Sequence, residues 1–347
     1  MKLALSFLAL AAMAWARTEL MVPLHAYPGG TTMSVQWAAV VDAAHSHPDM
    51  HFYVVINPNS GPKNTSGPGA GDISNCSPTG VDYIPHGCDK DWSTNVGRLN
   101  QVSNIQTLGY VYARYGHTDR RSVEKIEEDI KEWADWDLEA GWGSSQPSNI
   151  SIHGIWFDET GVDKGNETEF RQLTDYARQV FNAKTDRGQF DIVMNPGSNP
   201  AADYEQALFD MADAVVTRET CWTTTVGDEC PTPYTAYNWT GITCGDGAPF
   251  SQALNSKAVV VVHEFHDPPE ATNATLLEQI RGTVRQGFHS AYFTSGSYAN
   301  TTIEPASIGN VAEFFSLANN ETSVPMPNPC TANMRVVGRL AHHQGLS

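Results

Sequence analysis

The sequence predicts an α/β chain closed into a (β/α)8 TIM-type barrel, with elaborated loops after the second and sixth strands. Three observations carry this. Eight short apolar runs recur along the chain, each followed by an amphipathic segment or by room for one, which is the count of such a barrel. The runs are almost continuously apolar, as parallel strands buried on both faces must be. Several end abruptly in acidic or amide residues, at the position where barrel enzymes keep their chemistry. A doubly wound open sheet is the competing architecture, and the absence of a G-x-G-x-x-G after the first run counts against its dinucleotide-binding form.

The first run, 20–27, closes on Pro28-Gly29-Gly30, a turn signal. Segment 34–45 then places Val35, Ala38, Ala39 and Val41 at helical spacing, with Trp37 and Val40 widening the face. The second run, 52–56, ends at Asn57. Residues 63–91 are rich in Gly, Pro, Ser and Asn and read as a long insertion tied by a Cys76–Cys88 disulfide. The third run, 107–113, precedes a strong helix at 122–138 whose apolar stripe is Val123, Ile126, Ile130, Trp133 and Ala134. The fourth run, 152–159, ends in Asp158-Glu159 and is followed by a helix at 170–181. The fifth, 190–194, ends at Asn195-Pro196-Gly197 before a short helix at 201–211. The sixth, 214–217, ends at Arg218-Glu219-Thr220 and leads into a Cys- and Trp-containing loop reaching residue 247. The seventh, 258–262, ends at His263-Glu264-Phe265-His266, with a helix at 276–286. The eighth, 291–294, and a helix at 305–317 complete the alternation.

The domain organisation follows. Residues 1–16 have a basic Lys2, an apolar stretch and the small-x-small site Ala14-Trp15-Ala16, the pattern of a secretory signal. Residues 17–324 form a single barrel domain and 325–347 a C-terminal extension. Six cysteines, Cys76, Cys88, Cys221, Cys230, Cys244 and Cys330, are compatible with three disulfides, and none forms a C-x-x-C pair that would suggest zinc. Sequons at Asn64, Asn75, Asn149, Asn166, Asn238, Asn273, Asn300 and Asn320 fit a glycosylated surface. An extracellular or cell-wall location is therefore expected, and a monomer. The formal net charge of −18 argues against nucleic acid or an anionic membrane as partner and is compatible with a cationic substrate.

The chemistry sits at the run ends. Cleaving a glycosidic bond takes two carboxyl groups, one protonated and one ionised. Asp158, Glu159 and Glu219 are the catalytic candidates. Neighbours on a strand point oppositely, so one of Asp158 and Glu159 faces the mouth and the other supports it. A carboxylate beside another has its pKa raised, which is how an acid stays protonated. Tyr27, Asn57, Tyr110, Tyr112, Arg114, Trp156, Asn195, Glu264 and Tyr292 are the candidates for binding sugar, as flat apolar faces and hydroxyl-reading polar groups. No cofactor is expected. His263 and His266 lack the i, i+4 helical spacing of a zinc protease, and no G-x-S-x-G elbow is present.

The segments Val22-Pro23-Leu24-His25-Ala26-Tyr27-Pro28, Val54-Val55-Ile56-Asn57-Pro58-Asn59-Ser60-Gly61-Pro62, Leu108-Gly109-Tyr110-Val111, Gly154-Ile155-Trp156-Phe157-Asp158-Glu159 and Asn195-Pro196-Gly197 together resemble the spherulation-specific family 4 (spherulin-4-like) proteins of fungi. That family is grouped with glycoside hydrolase family 135. The resemblance implies a (β/α)8 barrel and endo-acting hydrolysis of α-1,4-linked N-acetylgalactosamine in a galactosamine-containing fungal exopolysaccharide. It implies an Asp-Glu pair after strand four, matched by Asp158-Glu159, and a Glu after strand six, matched by Glu219. The sequence departs from the family pattern at Arg218. A cation there would hold Glu219 ionised, which favours an alternative: a non-catalytic carbohydrate-binding, cell-wall or spore-surface protein on the same barrel.

Overall fold

The structure is a computed structural model and describes residues 17–30, 32–58, 60–62, 90–117, 121–136, 138–140, 147–184, 189–197, 200–222, 237, 252–266, 271–297 and 300–321. Eight strands form where the apolar runs lie: β1 (Glu19–Leu24), β2 (Phe52–Ile56), β3 (Ile105–Tyr112), β4 (Gly154–Asp158), β5 (Asp191–Asn195), β6 (Ala214–Cys221), β7 (Ala258–His263) and β8 (Ser290–Phe293). All neighbours are parallel and in sequence order, and β8 pairs with β1 to close the barrel. The helices are α1 (Val35–Ser46), α2 (Lys90–Leu99), α3 (Val123–Asp135), α4 (Glu167–Asn182), α5 (Glu205–Met211), α6 (Asn273–Arg285) and α7 (Ile308–Glu321). This is the (β/α)8 barrel predicted from the sequence.

Side chains alternate along each strand, and in-register neighbours of parallel strands share a face. Tyr110, Trp156 and Val193 are partners, as are Tyr112, Asp158 and Asn195. All point into the barrel. At its N-terminal end the interior is closed by a polar layer, in which Gln106 Nε2 donates to Asp191 Oδ2 at 2.7 Å. The opposite faces pack on the helices. The indole of Trp133 on α3 lies against Gly109 on β3 and donates from Nε1 to the Tyr110 carbonyl at 2.8 Å.

Several elements differ from the sequence-based expectation. The helix expected at 122–138 stops at Asp135, because Trp136 turns extended (φ −67°, ψ 119°) and is buried with its ring 4.7 Å from that of Trp133. Leu138–Ala140 then pairs antiparallel with Pro147–Asn149. Helix α2 emerges where the Gly- and Pro-rich stretch ends, and buries Trp92, Val96 and Leu99 at helical spacing. Strand β6 continues beyond Thr217 to Cys221, through a break in register between Val216 and Arg218.

The signal-like segment 1–16, the extension 325–347, most of both elaborated loops, Cys76, Cys88, Cys230, Cys244, Cys330 and the sequons at Asn64, Asn75 and Asn238 lie outside the described residues. Cys221 is disulfide-bonded, to a partner also outside them. Of the remaining sequons, Asn149, Asn273 and Asn320 are exposed, whereas Asn166 and Asn300 are half-buried.

A Cβ at position 109 would stand 2.5 Å from the ring of Trp133, which is fully buried and held by its hydrogen bond to the Tyr110 carbonyl, so the packing would have to shift. Gly109→Ala should therefore lower the unfolding free energy by about 1–3 kcal/mol, read from denaturant unfolding; an unchanged midpoint would show that the α3 packing is loose.

Candidate active site

The fourth strand delivers Asp158 to the C-terminal mouth of the barrel. The Tyr110 hydroxyl on β3 donates to Asp158 Oδ2, and Asn195 Nδ2 on β5 donates to Oδ1 at 2.7 Å. The same Asn195 amide donates to Glu219 Oε2 on β6, again at 2.7 Å. The two carboxylate oxygens that share this nitrogen can stand no farther apart than twice that length. The amide is oriented by its own chain: Asn195 Oδ1 accepts from the Gly197 N–H at 2.9 Å, in a turn that Gly197 closes with φ +66°. With its carbonyl oxygen committed to the backbone, the NH2 group is left to face the acids.

Glu219 reaches the mouth because of the irregularity in β6. Val216 registers with Val259, but Arg218 registers with Val260 and Glu219 with Val261. Thr217 is thus the extra residue of a β-bulge, and it reverses the alternation beyond it. In an unbroken strand Arg218 would follow Val216 onto the inner face. Instead Arg218 turns outward and Glu219 inward. The guanidinium is half-buried on the far side of the strand, and burial lowers its pKa. Cys221, two positions on, shares the inner face with His263, whose Nδ1 is 3.6 Å from its Sγ.

Electrostatics at the mouth favour a retained proton. The Asp158 carboxyl is pushed up to about 7, first by burial and then by the charge of Glu219; the hydrogen bonds from Tyr110, Asn195 and the Glu159 N–H pull the other way. The neighbouring charge that matters is therefore Glu219, across the barrel mouth, and not the adjacent Glu159. Glu159 leaves the strand at φ +52° and its carboxylate bonds the Tyr112 hydroxyl, which raises the tyrosine pKa after burial. His25, at the end of β1, packs edge-on against Tyr110 with ring centroids 5.6 Å apart, and burial brings its pKa down to about 4, so that it is neutral at ordinary pH.

The mouth also concentrates backbone strain. Ser60, Arg114, Tyr115, Glu159 and Glu264 are the described non-glycine residues with positive φ, and each follows the C-terminal end of a barrel strand. Such a conformation costs an L-residue roughly 1–2 kcal/mol, and it persists where surrounding structure over-determines it, commonly at functional sites.

The remaining sequence-predicted binding residues divide by place. Arg114 lies over the Tyr112 ring, 5.0 Å from its centroid. Tyr27 is exposed at the rim and its hydroxyl donates to Asp91 Oδ2 at 2.8 Å. Asn57 accepts from the Ser60 N–H at 2.7 Å and shapes the turn after β2. Trp156 and Tyr292 are buried inside the barrel, in its packing rather than on its rim. Glu264 is buried, with Oε2 2.5 Å from His266 Nε2. Among the described residues no cluster of three or more His, Cys, Asp and Glu is placed to hold a metal ion. Sequence reasoning missed His25 and Tyr115. Both follow strand ends, which was the available signal.

The raised Asp158 pKa has a stability consequence. A carboxyl held near 7 in the fold and near its ordinary 3.8 in the unfolded chain binds more protons when folded between those values. It therefore contributes stability at acid pH that is lost as pH rises through about 7. Asp158→Asn should unfold at a higher temperature than the parent at pH 8, with the gain shrinking toward pH 4; a gain independent of pH would contradict the assignment.

Residues 19–310 match the sequence profile of the spherulation-specific family 4. Spherulin-4 of Physarum polycephalum is 26% identical over 186 residues, which are 54% of this chain and 41% of that protein. The chain thus spans about two-fifths of the length of the curated relative it matches. Among solved structures, that of Aspergillus clavatus Sph3 in complex with GalNAc is 24% identical, covers 88% of this chain and 99% of its own, and superposes with a TM-score of 0.60. The spore cortex-lytic enzyme SleL of Bacillus megaterium QM B1551 is 8% identical, over 88% of this chain and 74% of its own, with a TM-score of 0.47. The match over most of the chain settles the family: the protein belongs to the spherulation-specific family 4.

Proposed function

We propose that the protein is a secreted glycoside hydrolase that cuts within a galactosamine-containing polysaccharide at α-1,4-linked N-acetylgalactosamine. The observation that carries the reading is the Asn195 amide shared by Asp158 and Glu219. It brings two carboxyl groups together at a barrel mouth, with one of them raised to about 7, so that the pair retains a proton near neutrality. One member gives that proton to the leaving oxygen while the other, ionised, attacks or steadies the anomeric carbon. The shared donor keeps the nearest oxygens of the two carboxyl groups within twice 2.7 Å of each other, which favours the short spacing of retaining enzymes, about 5–5.5 Å, over the 6.5–9.5 Å of inverting ones. Glu159 supports the pair through its backbone N–H. Family membership and the GalNAc bound in the Sph3 crystal structure support the choice of sugar. The signal-like residues 1–16 and the sequons support secretion, for which N-terminal sequencing of exported protein, beginning at Arg17, is the check.

A carbohydrate-binding barrel without catalysis is the second reading. Its ground was Arg218 beside Glu219, and the bulge turns that guanidinium to the other face of the strand. The same assay decides: retention on the polymer with no released reducing ends would support it.

Asp158→Asn and Glu219→Gln should each lower release of soluble oligosaccharides from a galactosamine-rich polymer by on the order of 10²–10⁴-fold; mass spectrometry of the products is the readout, and unimpaired release by both variants would sink the assignment. Activity should fall as pH rises through about 7, where the pair loses its proton. The Asn195 hydrogen bond lowers the Asp158 pKa, so Asn195→Ala should move that limb to higher pH while reducing kcat. A limb that stays in place would place the titrating group elsewhere.

A further inference from the structure

The chain after β3 makes a short left-handed turn. Arg114 (φ +49°), Tyr115 (φ +54°, ψ 27°) and Gly116 (φ +70°) lie in this region in succession. A bulky aromatic is among the residues least suited to it. The turn is nevertheless held firmly. The Tyr115 N–H donates to the Glu159 carbonyl, and Gly116 and His117 N–H groups donate back to Ala113 and Arg114 at 3.2 and 2.9 Å. Asn166 Nδ2 reaches the Tyr115 carbonyl at 3.4 Å, and the Asn166 side chain fills the space beside Gly116 and Gly161 that a Cβ would occupy.

The product of this strain is an exposed ring. Tyr115 is 42% exposed, and Tyr27, at 53%, is the other exposed aromatic among the described large hydrophobic residues. Both stand past C-terminal strand ends on the mouth side. Tyr115 belongs to the strand next to the one that carries Asp158, and Tyr27 lies two strands farther round the rim. Beside Tyr115 in the chain, the Arg114 guanidinium lies over the Tyr112 ring, and the Tyr112 hydroxyl bonds Glu159, the residue after Asp158.

We infer that Tyr115, with Arg114, forms a sugar-binding subsite adjoining the reacting pair. The Tyr115 ring stacks on the apolar face of one pyranose unit of the substrate chain, and Arg114 donates hydrogen bonds to that unit's hydroxyl or acetamido oxygens. The polymer then leaves the site over β3 toward β1, where Tyr27 meets a more distant unit. Tyr115 is in this assignment a binding residue, and the strained turn is what presents it. The inference rests on the hydrolase reading and deepens it by giving the substrate a direction.

The test uses Glu219→Gln as a non-cleaving background and calorimetric titration with N-acetylgalactosamine and galactosamine oligosaccharides of increasing length. Tyr115→Gly removes the ring and relieves the positive φ together. It should raise the melting temperature while weakening binding of longer oligosaccharides about tenfold, the upper end of what one aromatic contact supplies. Tyr115→Phe should bind as the background does. Tyr27→Ala should weaken only the longer ligands. If Tyr115→Gly binds every length as tightly as the background, or if it lowers the melting temperature and weakens all lengths alike, the subsite is wrong and the ring is structural. If the background binds no member of the series and the parent cleaves none, the hydrolase reading itself falls, and the subsite with it.

Discussion

One side-chain amide holds the candidate site together. Asn195 gives its two N–H bonds to acids that arrive on different strands, Asp158 from β4 and Glu219 from β6. The distance between the carboxyl groups, the charge each feels from the other and the proton they retain all depend on where that nitrogen sits. Its position is in turn set by the Asn195-Pro196-Gly197 turn, which ties up the amide oxygen. A planar group with one end fixed can aim the other end only one way. Three successive strands of a closed barrel thus meet at one nitrogen, and barrel closure is what keeps the three at constant spacing.

The mouth carries the unfavourable terms and the rest of the chain supports them. Asp158, partly exposed at the mouth, stands beside another carboxylate, and five of the described non-glycine residues at strand ends adopt positive φ. Neither feature helps folding. Below them the strands are almost wholly buried, with Trp133, Phe157, Phe209 and Phe293 filling the layers between strands and helices. Buried apolar area contributes roughly 25 cal/mol per Å², so a core of this kind easily offsets a few strained residues. Local strain of this sort clusters at functional sites and costs stability.

Much of this was legible in the sequence. The eight apolar runs became the eight strands, and Asp158 and Glu219 stand at their ends. Helix α2 was hidden because its stripe of Trp92, Val96 and Leu99 begins inside a stretch whose composition reads as loop. The helix expected to reach residue 138 ends early because Trp136 finds a better place against Trp133 than another helical turn would give it. Tyr115 was overlooked because nothing in Ala113-Arg114-Tyr115-Gly116 except the final glycine announces a left-handed turn. The partners that hold it, Glu159 and Asn166, are distant in sequence.

The sequence by itself determined the barrel, since a repeating apolar run and amphipathic segment has few ways to bury both faces of its strands. It also determined which acids lie at the mouth. Only the tertiary structure decided which way each of them points. Adjacent residues such as Arg218 and Glu219 exchange faces when one residue is added to a strand, and a bulge has no signature in composition or periodicity. It shows only in the pairing of β6 with β7, where Val216 and Arg218 meet consecutive residues. That inter-strand pairing, absent from any local stretch of chain, turned Arg218 outward and gave Asp158 its partner.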